Sequence, residues 1–222
     1  MINIAVDGPS GSGKSSLAKA VAREMNILYL DTGALYRAVG YSALTRLGES
    51  FSEESVYDLL KSLKVDLIYE NGVQHVYADG EDVSDRIRTQ PVAMAASKVS
   101  AYPPVRAFLL DLQRDIAARN SVIMDGRDVG TVVLPHADVK IFLTARPEVR
   151  AQRRVGELEE KGIKAEFETV LQEVVQRDHN DMTRPIAPLR QAEDAILLDN
   201  SELDAEQTLQ AAFEIIRSKI SQ

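Results

Sequence analysis

Gly8-Pro9-Ser10-Gly11-Ser12-Gly13-Lys14-Ser15 is the stretch that decides the fold. It fits G-x-x-x-x-G-K-[ST], the pattern of a loop that wraps phosphate groups. The flanking sequence agrees. Residues 2–6 (INIAV) form a short, β-branched apolar run that reads as a buried strand. Residues 14–25 read as a helix with Leu17, Ala18, Val21, Ala22 and Met25 on one face. Glycines let the backbone approach an anion closely, and the helix N-terminus adds unsatisfied N–H donors and partial positive charge. Lys14 can reach β- and γ-phosphates, and the Ser15 hydroxyl can ligate Mg²⁺.

Further apolar runs at 27–30, 121–124, 138–143 and 195–198 read as buried strands, most of them separated by helical patterns. That alternation predicts an α/β fold, a five-stranded parallel sheet covered on both faces, with ligands beyond the carboxyl ends of the strands. Polar residues follow each run: Asp7, Asp31-Thr32, Asp125-Gly126-Arg127-Asp128, Thr144-Ala145-Arg146 and Asp199-Asn200-Ser201.

About ninety residues separate the second and third runs, too many for one crossover. Within them 64–70 and 73–78 flank Asn71-Gly72, a hairpin signal, preceded by a helix at 53–62 and followed by helices at about 89–100 and 103–118. The expected division is a core of 1–36 and 106–222, with an inserted subdomain at 37–105 and a short lid at about 147–165. The chain closes with an amphipathic helix at 204–219.

The chain has 222 residues, 45% of them apolar, and a net charge of −8. The acidic balance argues against a nucleic-acid partner. No apolar run approaches the roughly 18 residues of a membrane span. Neither a secretory signal nor a cysteine is present, which suits a cytoplasmic protein. With no surplus apolar stripe, a monomer is expected. Basic residues comprise 17 Arg and 9 Lys, an excess that suits either recognition of a small phosphorylated ligand or genomic bias.

Several side chains are candidates for chemistry. Asp125, closing an apolar strand, resembles the acidic group that helps hold Mg²⁺ beside a phosphate loop. Arg127 and Asp128 project over the same edge. Thr32 is placed as a helix cap, with Arg37 either a phosphate ligand or a surface charge. Arg146, Arg150, Arg153 and Arg154 sit on a helix begun by Pro147, either as an arm reaching a moving phosphoryl group or as an exposed face neutralised by Glu148, Glu157, Glu159 and Glu160. Arg177, Asp181 and Arg184 repeat the spacing on the next helix, where a local salt bridge is the simpler reading. The three histidines (75, 136 and 179) lack metal-ligand spacing.

Together GPSGSGKS, DTGALYR, IRTQPVAMAASKVSAYPPVR, MDGRDVGTVVLPHADVKIFLTA and RDHNDMTRPIAPL resemble the bacterial cytidylate kinases, the CMP/dCMP branch of the nucleoside monophosphate kinases. The resemblance covers nearly the whole chain. It implies a P-loop NTPase core, three layers α/β/α, an enlarged monophosphate-binding insert and transfer of phosphoryl from Mg²⁺-ATP to CMP or dCMP. ATP would be held by Gly8, Pro9, Ser10, Gly11, Ser12, Gly13, Lys14, Ser15 and Ser16, with Ser15 on the metal. Lys14, Asp125, Arg127, Arg146, Arg150 and Arg154 would serve the transfer. Arg37 and Arg127 would hold the CMP phosphate. Thr32, Arg106, Asp128 and Arg184 would surround the base, and Ser97, Arg177 and Asp181 would meet the sugar. Thr32 stands where the family often has serine. His179, Asn180 and Met182 replace arginines that some members carry. The rival expectation is a kinase of another small acceptor on this fold, such as UMP, AMP or a hydroxy acid. A GTP-dependent switch is disfavoured because no N-K-x-D stretch occurs.

Overall fold

The computed structural model describes residues 1–70, 73–160 and 162–220. Its strands are β1 (Asn3–Asp7), β2 (Leu28–Asp31), β3 (Val65–Glu70), β4 (Val73–Ala78), β5 (Glu81–Asp82), β6 (Val122–Gly126), β7 (Val139–Thr144) and β8 (Ile196–Asp199). The helices are α1 (Lys14–Met25), α2 (Thr32–Leu47), α3 (Glu53–Leu60), α4 (Gln90–Val99), α5 (Pro103–Arg119), α6 (Pro147–Glu160), α7 (Phe167–Thr183) and α8 (Ala205–Ile220). A five-stranded sheet has the order β2-β6-β1-β7-β8, and a three-stranded sheet the order β3-β4-β5. The architecture is three-layer α/β/α, as expected.

Each of the five core strands begins one residue later than its apolar run suggests. Apolarity marks which residues are buried, whereas the hydrogen-bond ladder runs on to the first polar residue. Asp7 still pairs in register with Gly126 and Phe142, and Thr144 with Asp199. The first polar residues after the runs, Asp7, Asp125, Thr144 and Asp199, are therefore held by the sheet itself.

The chain divides into two compact units, Met1–Ile27 with Ser121–Gln222, and Leu28–Asn120. In the first, β1 pairs parallel with β6 and β7, and β7 with β8. The middle of the sheet is mostly apolar: Ile4, Val6, Ile123, Met124, Ile141 and Leu143 are all buried, with Lys140 a buried exception. Helices α1 and α8 pack on each other and on β6 and β7. Beyond β7, α6 and α7 form a helical hairpin with its own small core of Ala151, Val155, Val170 and Val174. Gly162, with φ 73°, closes α6: its N–H donates to Glu159 O, and the Ile163 N–H donates to Leu158 O.

The second unit is built around α2, which packs against α4, α5 and β4. These packings explain why 28–36 and 106–120 group with the insert expected at 37–105. In the β3–β4 pair, Val65 faces Ala78 and Leu67 faces Val76, so alternate residues turn inward. The Asn71-Gly72 turn lies outside the described residues. A second hairpin, β4 to β5, turns at Asp79-Gly80 with φ of 50° and 83°, the two left-handed residues of a tight hairpin turn. Asp-Gly is the sequence signal for such a turn.

Helices α2 and α4 approach closely at Gly40, where a Cβ would lie 2.8 Å from the Ala96 backbone nitrogen. Gly40→Ala is therefore expected to destabilise the chain by about 1–3 kcal/mol, read as a lower urea midpoint.

Candidate functional site

In the first unit, the chain leaves β1 at Asp7 and enters the phosphate loop at Gly8. A Cβ at Gly8 would fall 1.9 Å from the Leu143 carbonyl oxygen, so only glycine lets the loop start against β7. At the other end Gly13 has φ 90° and leads directly into α1. Between them, side chains hold the loop's carbonyls. Lys14 Nζ donates to Pro9 O at 2.6 Å, Arg150 Nη1 to Ser10 O at 3.0 Å, and Asn200 Nδ2 to Ser12 O at 3.0 Å. A peptide unit is planar, so fixing a carbonyl also fixes the N–H on the far side of that bond. Lys14 is buried, and burial, aided by the charge of Arg127, draws its ammonium well below the usual range. A phosphate beside it would reverse that shift.

Ser15 Oγ donates to Asp125 Oδ2 at 2.8 Å. A hydroxyl and a carboxylate together at the loop offer the hard oxygen donors that suit Mg²⁺. Among the described residues no group of three or more His, Asp or Glu could hold a metal ion.

The Asp125-Gly126-Arg127-Asp128 turn makes long-range pairs. Arg127 Nε donates to Asp181 Oδ2 at 2.8 Å, and Arg184 Nη2 to Asp128 Oδ1 at 3.3 Å. Arg184 Nε also donates to Ala187 O at 2.6 Å, fixing the guanidinium plane. Asp128 and Arg184 side chains are 9% and 8% exposed. The structure thus brings together Lys14, Ser15, Asp125, Arg127, Asp128, Asp181 and Arg184 from separated stretches of sequence. Arg177 is exposed on α7.

The arginines of α6 separate into two kinds. Arg146 and Arg154 are 57% and 48% exposed and pair with Glu202 and Glu157. Arg150, expected on the reaching arm, is instead 3% exposed. It donates twice to Asp178, at 3.1 and 2.5 Å, and through Nε to Ala145 O at 2.8 Å. With its N–H groups so engaged, this guanidinium ties Ser10 O of the loop to Asp178 of α7. Arg153 grips Asn200 through Oδ1 and the backbone oxygen. Asp178 and Asn200 were not singled out by sequence. The signal for Asn200 was its place after β8 on the active edge, while Asp178 had none beyond its neighbours.

Asp7 is a second surprise. Its carboxylate accepts from Val129 N at 2.8 Å and Gly130 N at 2.7 Å. Burial pushes its carboxyl up to about 6 against the pull of these two bonds.

In the second unit, the cap of α2 is Asp31, not Thr32. Asp31 Oδ1 accepts from Ala34 N at 3.0 Å, and Thr32 is the buried first residue of the helix. A carboxylate reaches the third amide and also favours the positive helix end. Asp31 Oδ2 further accepts from Arg37 Nη2 at 2.6 Å. Arg37 Nε is buried without a hydrogen-bond partner, a donor that an incoming anion would satisfy. Arg106 donates to Ser100 O at 3.1 Å, and its guanidinium lies 5.5 Å from the centre of the Tyr36 ring. Ser97 is exposed on α4.

A strand, a braced glycine loop and a helix that opens on Lys-Ser define a phosphate-loop nucleotide-binding protein of the kinase type. The cytidylate kinase family model matches residues 4–218. The chain belongs to the cytidylate kinase family. A cytidylate kinase of Caldicellulosiruptor saccharolyticus is 47% identical over 214 residues, covering 96% of this chain and 95% of that one. One from Mannheimia succiniciproducens is 45% identical over 219 residues, covering 99% and 97%. Among solved structures, an uncharacterized protein from Eubacterium ventriosum matches with a TM-score of 0.55 at 13% identity, covering 98% of this chain and 99% of that one. That likeness concerns the fold alone.

Two stability predictions follow from the buried charges. Asp178→Ala strands the Arg150 guanidinium and is expected to cost about 3–5 kcal/mol. Glu157→Ala removes only the exposed partner of Arg154 and should cost less than about 1 kcal/mol. Equal urea midpoints for the two variants would contradict this account. For Asp7, the folded pKa of about 6 lies above the ordinary 3.8. Its stabilising contribution is complete below pH 3.8 and is lost as pH rises through 6. The loss is on the order of 3 kcal/mol by pH 7. Asp7→Asn should therefore gain stability relative to the wild type between pH 4 and pH 7, measured as the difference in Tm.

Proposed function

We propose that the protein transfers the γ-phosphoryl group of ATP to the phosphate of CMP, giving ADP and CDP. The observation that carries this reading is the braced phosphate loop, joined to the base-reading pair Asp128 and Arg184 in a member of the cytidylate kinase family. The loop, Gly8 to Ser16, wraps the triphosphate with backbone N–H groups, and Lys14 follows its terminal phosphates. Mg²⁺, held with the nucleotide by Ser15 and Asp125, would neutralise charge on the phosphates. Arg127 aims the acceptor phosphate. No strong base is required, because that phosphate is already an anionic nucleophile. Catalysis is then positioning plus charge stabilisation.

Arg146 and Arg154 are the proposed lid arginines. Their exposed ion pairs are worth about 0–1 kcal/mol each, so a phosphoryl group can outbid Glu202 and Glu157. Arg150 moves from this group to the loop's support.

Cytosine presents its N4 amino group as a donor and N3 and O2 as acceptors. Asp128 accepts from N4, and Arg184 donates to the acceptors. Uracil reverses N4 and N3, leaving buried groups facing like partners, a mismatch worth about 10⁴ in discrimination. Asp181 and Arg177 serve the sugar. The family resemblance assigns Arg37 to the phosphate, Thr32 and Arg106 to the base, and Ser97 to the sugar. The orphan Nε of Arg37 supports its part. None of the described helices is long and apolar enough to cross a membrane. The proposed setting is a cytoplasmic monomer acting on small molecules, with dCMP as a second acceptor and no nucleic-acid partner.

A coupled assay of ADP release with Mg²⁺-ATP and CMP, dCMP, UMP, AMP or dTMP tests the reading. Turnover is expected with CMP and dCMP alone, and equal turnover with UMP would remove the roles of Asp128 and Arg184. Lys14→Ala should lower kcat by at least about 10²-fold while CMP binding, followed by calorimetry, stays within about twofold of wild type.

A further inference from the structure

Asp128 lies where the backbone needs outside help. After it, Val129–Val133 forms a wide turn: Val132 N and Val133 N both bond to Asp128 O, and Leu134 N bonds to Val129 O at 2.7 Å. Such a turn leaves its first amides, those of Val129 and Gly130, without partners inside it. Asp7 supplies both acceptors, one carboxylate oxygen to each amide, at 2.8 and 2.7 Å. The carboxylate is buried, and so is Asp128.

Apart from these two bonds, the Asp7 charge is felt by the buried Lys14 ammonium, an attraction that needs a negative charge but no particular orientation of the carboxylate. The β-ladder uses its backbone, and a neutral side chain would sit in this buried place at lower cost. A carboxylate is the one short side chain that can accept from two adjacent amides at once. An asparagine offers one acceptor and sets its own N–H group against the second amide. The neighbourhood is closely fitted as well. A Cβ on Gly130 would lie 3.3 Å from Asp7 Oδ2 and 3.2 Å from Lys140 Cδ.

We propose that Asp7 is a positioning residue for base selection: by clamping the Val129 and Gly130 amides it sets the direction in which Asp128 presents its carboxylate to the cytosine amino group. Asp7 does not touch the substrate. It ends β1 and precedes Gly8, so the residue that opens the phosphate loop also aims the base reader. The inference rests on the assignment of Asp128 to the base.

The experiment compares kcat/KM for CMP and UMP in the full chain for wild type, Asp7→Asn, Gly130→Ala and Asp128→Asn, with KM for ATP as the internal reference. Gly130→Ala perturbs the clamp from the opposite side by a few tenths of an ångström and covers the case in which Asp7→Asn folds poorly. Asp7→Asn is expected to lower the CMP/UMP ratio at least about tenfold, through a raised KM for CMP. Gly130→Ala should shift the ratio in the same direction, with KM for ATP within about twofold of wild type in both variants. Loss of discrimination in Asp128→Asn, with unchanged ratios in the two clamp variants, would overturn the role of Asp7 and leave that of Asp128 standing. An unchanged ratio in Asp128→Asn would overturn the base assignment, and the positioning role with it. A clamp variant that loses CMP and UMP turnover equally, with KM for ATP rising in step, would mark Asp7 as a support of the loop alone.

Discussion

The carbonyls of the phosphate loop are tied back by side chains from three directions, and the rest of the site depends on this. Lys14 takes Pro9 O from within the loop, Arg150 takes Ser10 O from α6, and Asn200 takes Ser12 O from the end of β8. A glycine-rich loop has the most conformational freedom to lose, and an anion site works best when that loss precedes binding. Tying the carbonyls orients the peptide planes before any nucleotide arrives. The same bonds join the loop to the helical hairpin of α6 and α7 through Arg150 and Asp178.

Charge placement separates support from action. The arginine that braces the loop is buried and bidentate, and removing its partner would leave a costly unpaired charge. The arginines proposed to meet the moving phosphoryl group are half-exposed, with partners they can leave cheaply. Asp7, Lys14, Asp125 and Asp128 are all buried near the phosphate loop and the turn after β6. Asp7 and Lys14 carry shifts that burial dominates. A bound polyanion would give Lys14 the counter-charge that offsets its burial.

Much of this was legible in the sequence because it is local. The phosphate loop, the apolar strands and the polar residues that end them are contiguous patterns, and periodicity located the helices of both units. Strand starts were misplaced by one residue because apolarity does not report the ladder. The α2 cap was read as Thr32 because Asp31 looked like a strand terminus, and it is both. Cross-element pairs stayed hidden. The i, i+4 spacing of Arg177 and Asp181 suggested a local bridge, while Asp181 meets Arg127 from another element. Arg150 looked like one of four equivalent arginines until burial singled it out. Distance along the chain hides the two hydrogen bonds that the Asp7 carboxylate accepts from the Val129 and Gly130 amides, which no spacing rule could reveal.

The most direct test of the account is a crystal structure of the protein with Mg²⁺ and a bisubstrate analogue that joins cytidine to adenosine through phosphates. The account predicts phosphates within hydrogen-bond distance of the Gly11–Ser15 amides and Lys14 Nζ, and the cytosine amino group on the Asp128 carboxylate. An analogue bound with its cytosine away from Asp128, or with its phosphates outside the glycine loop, would contradict it.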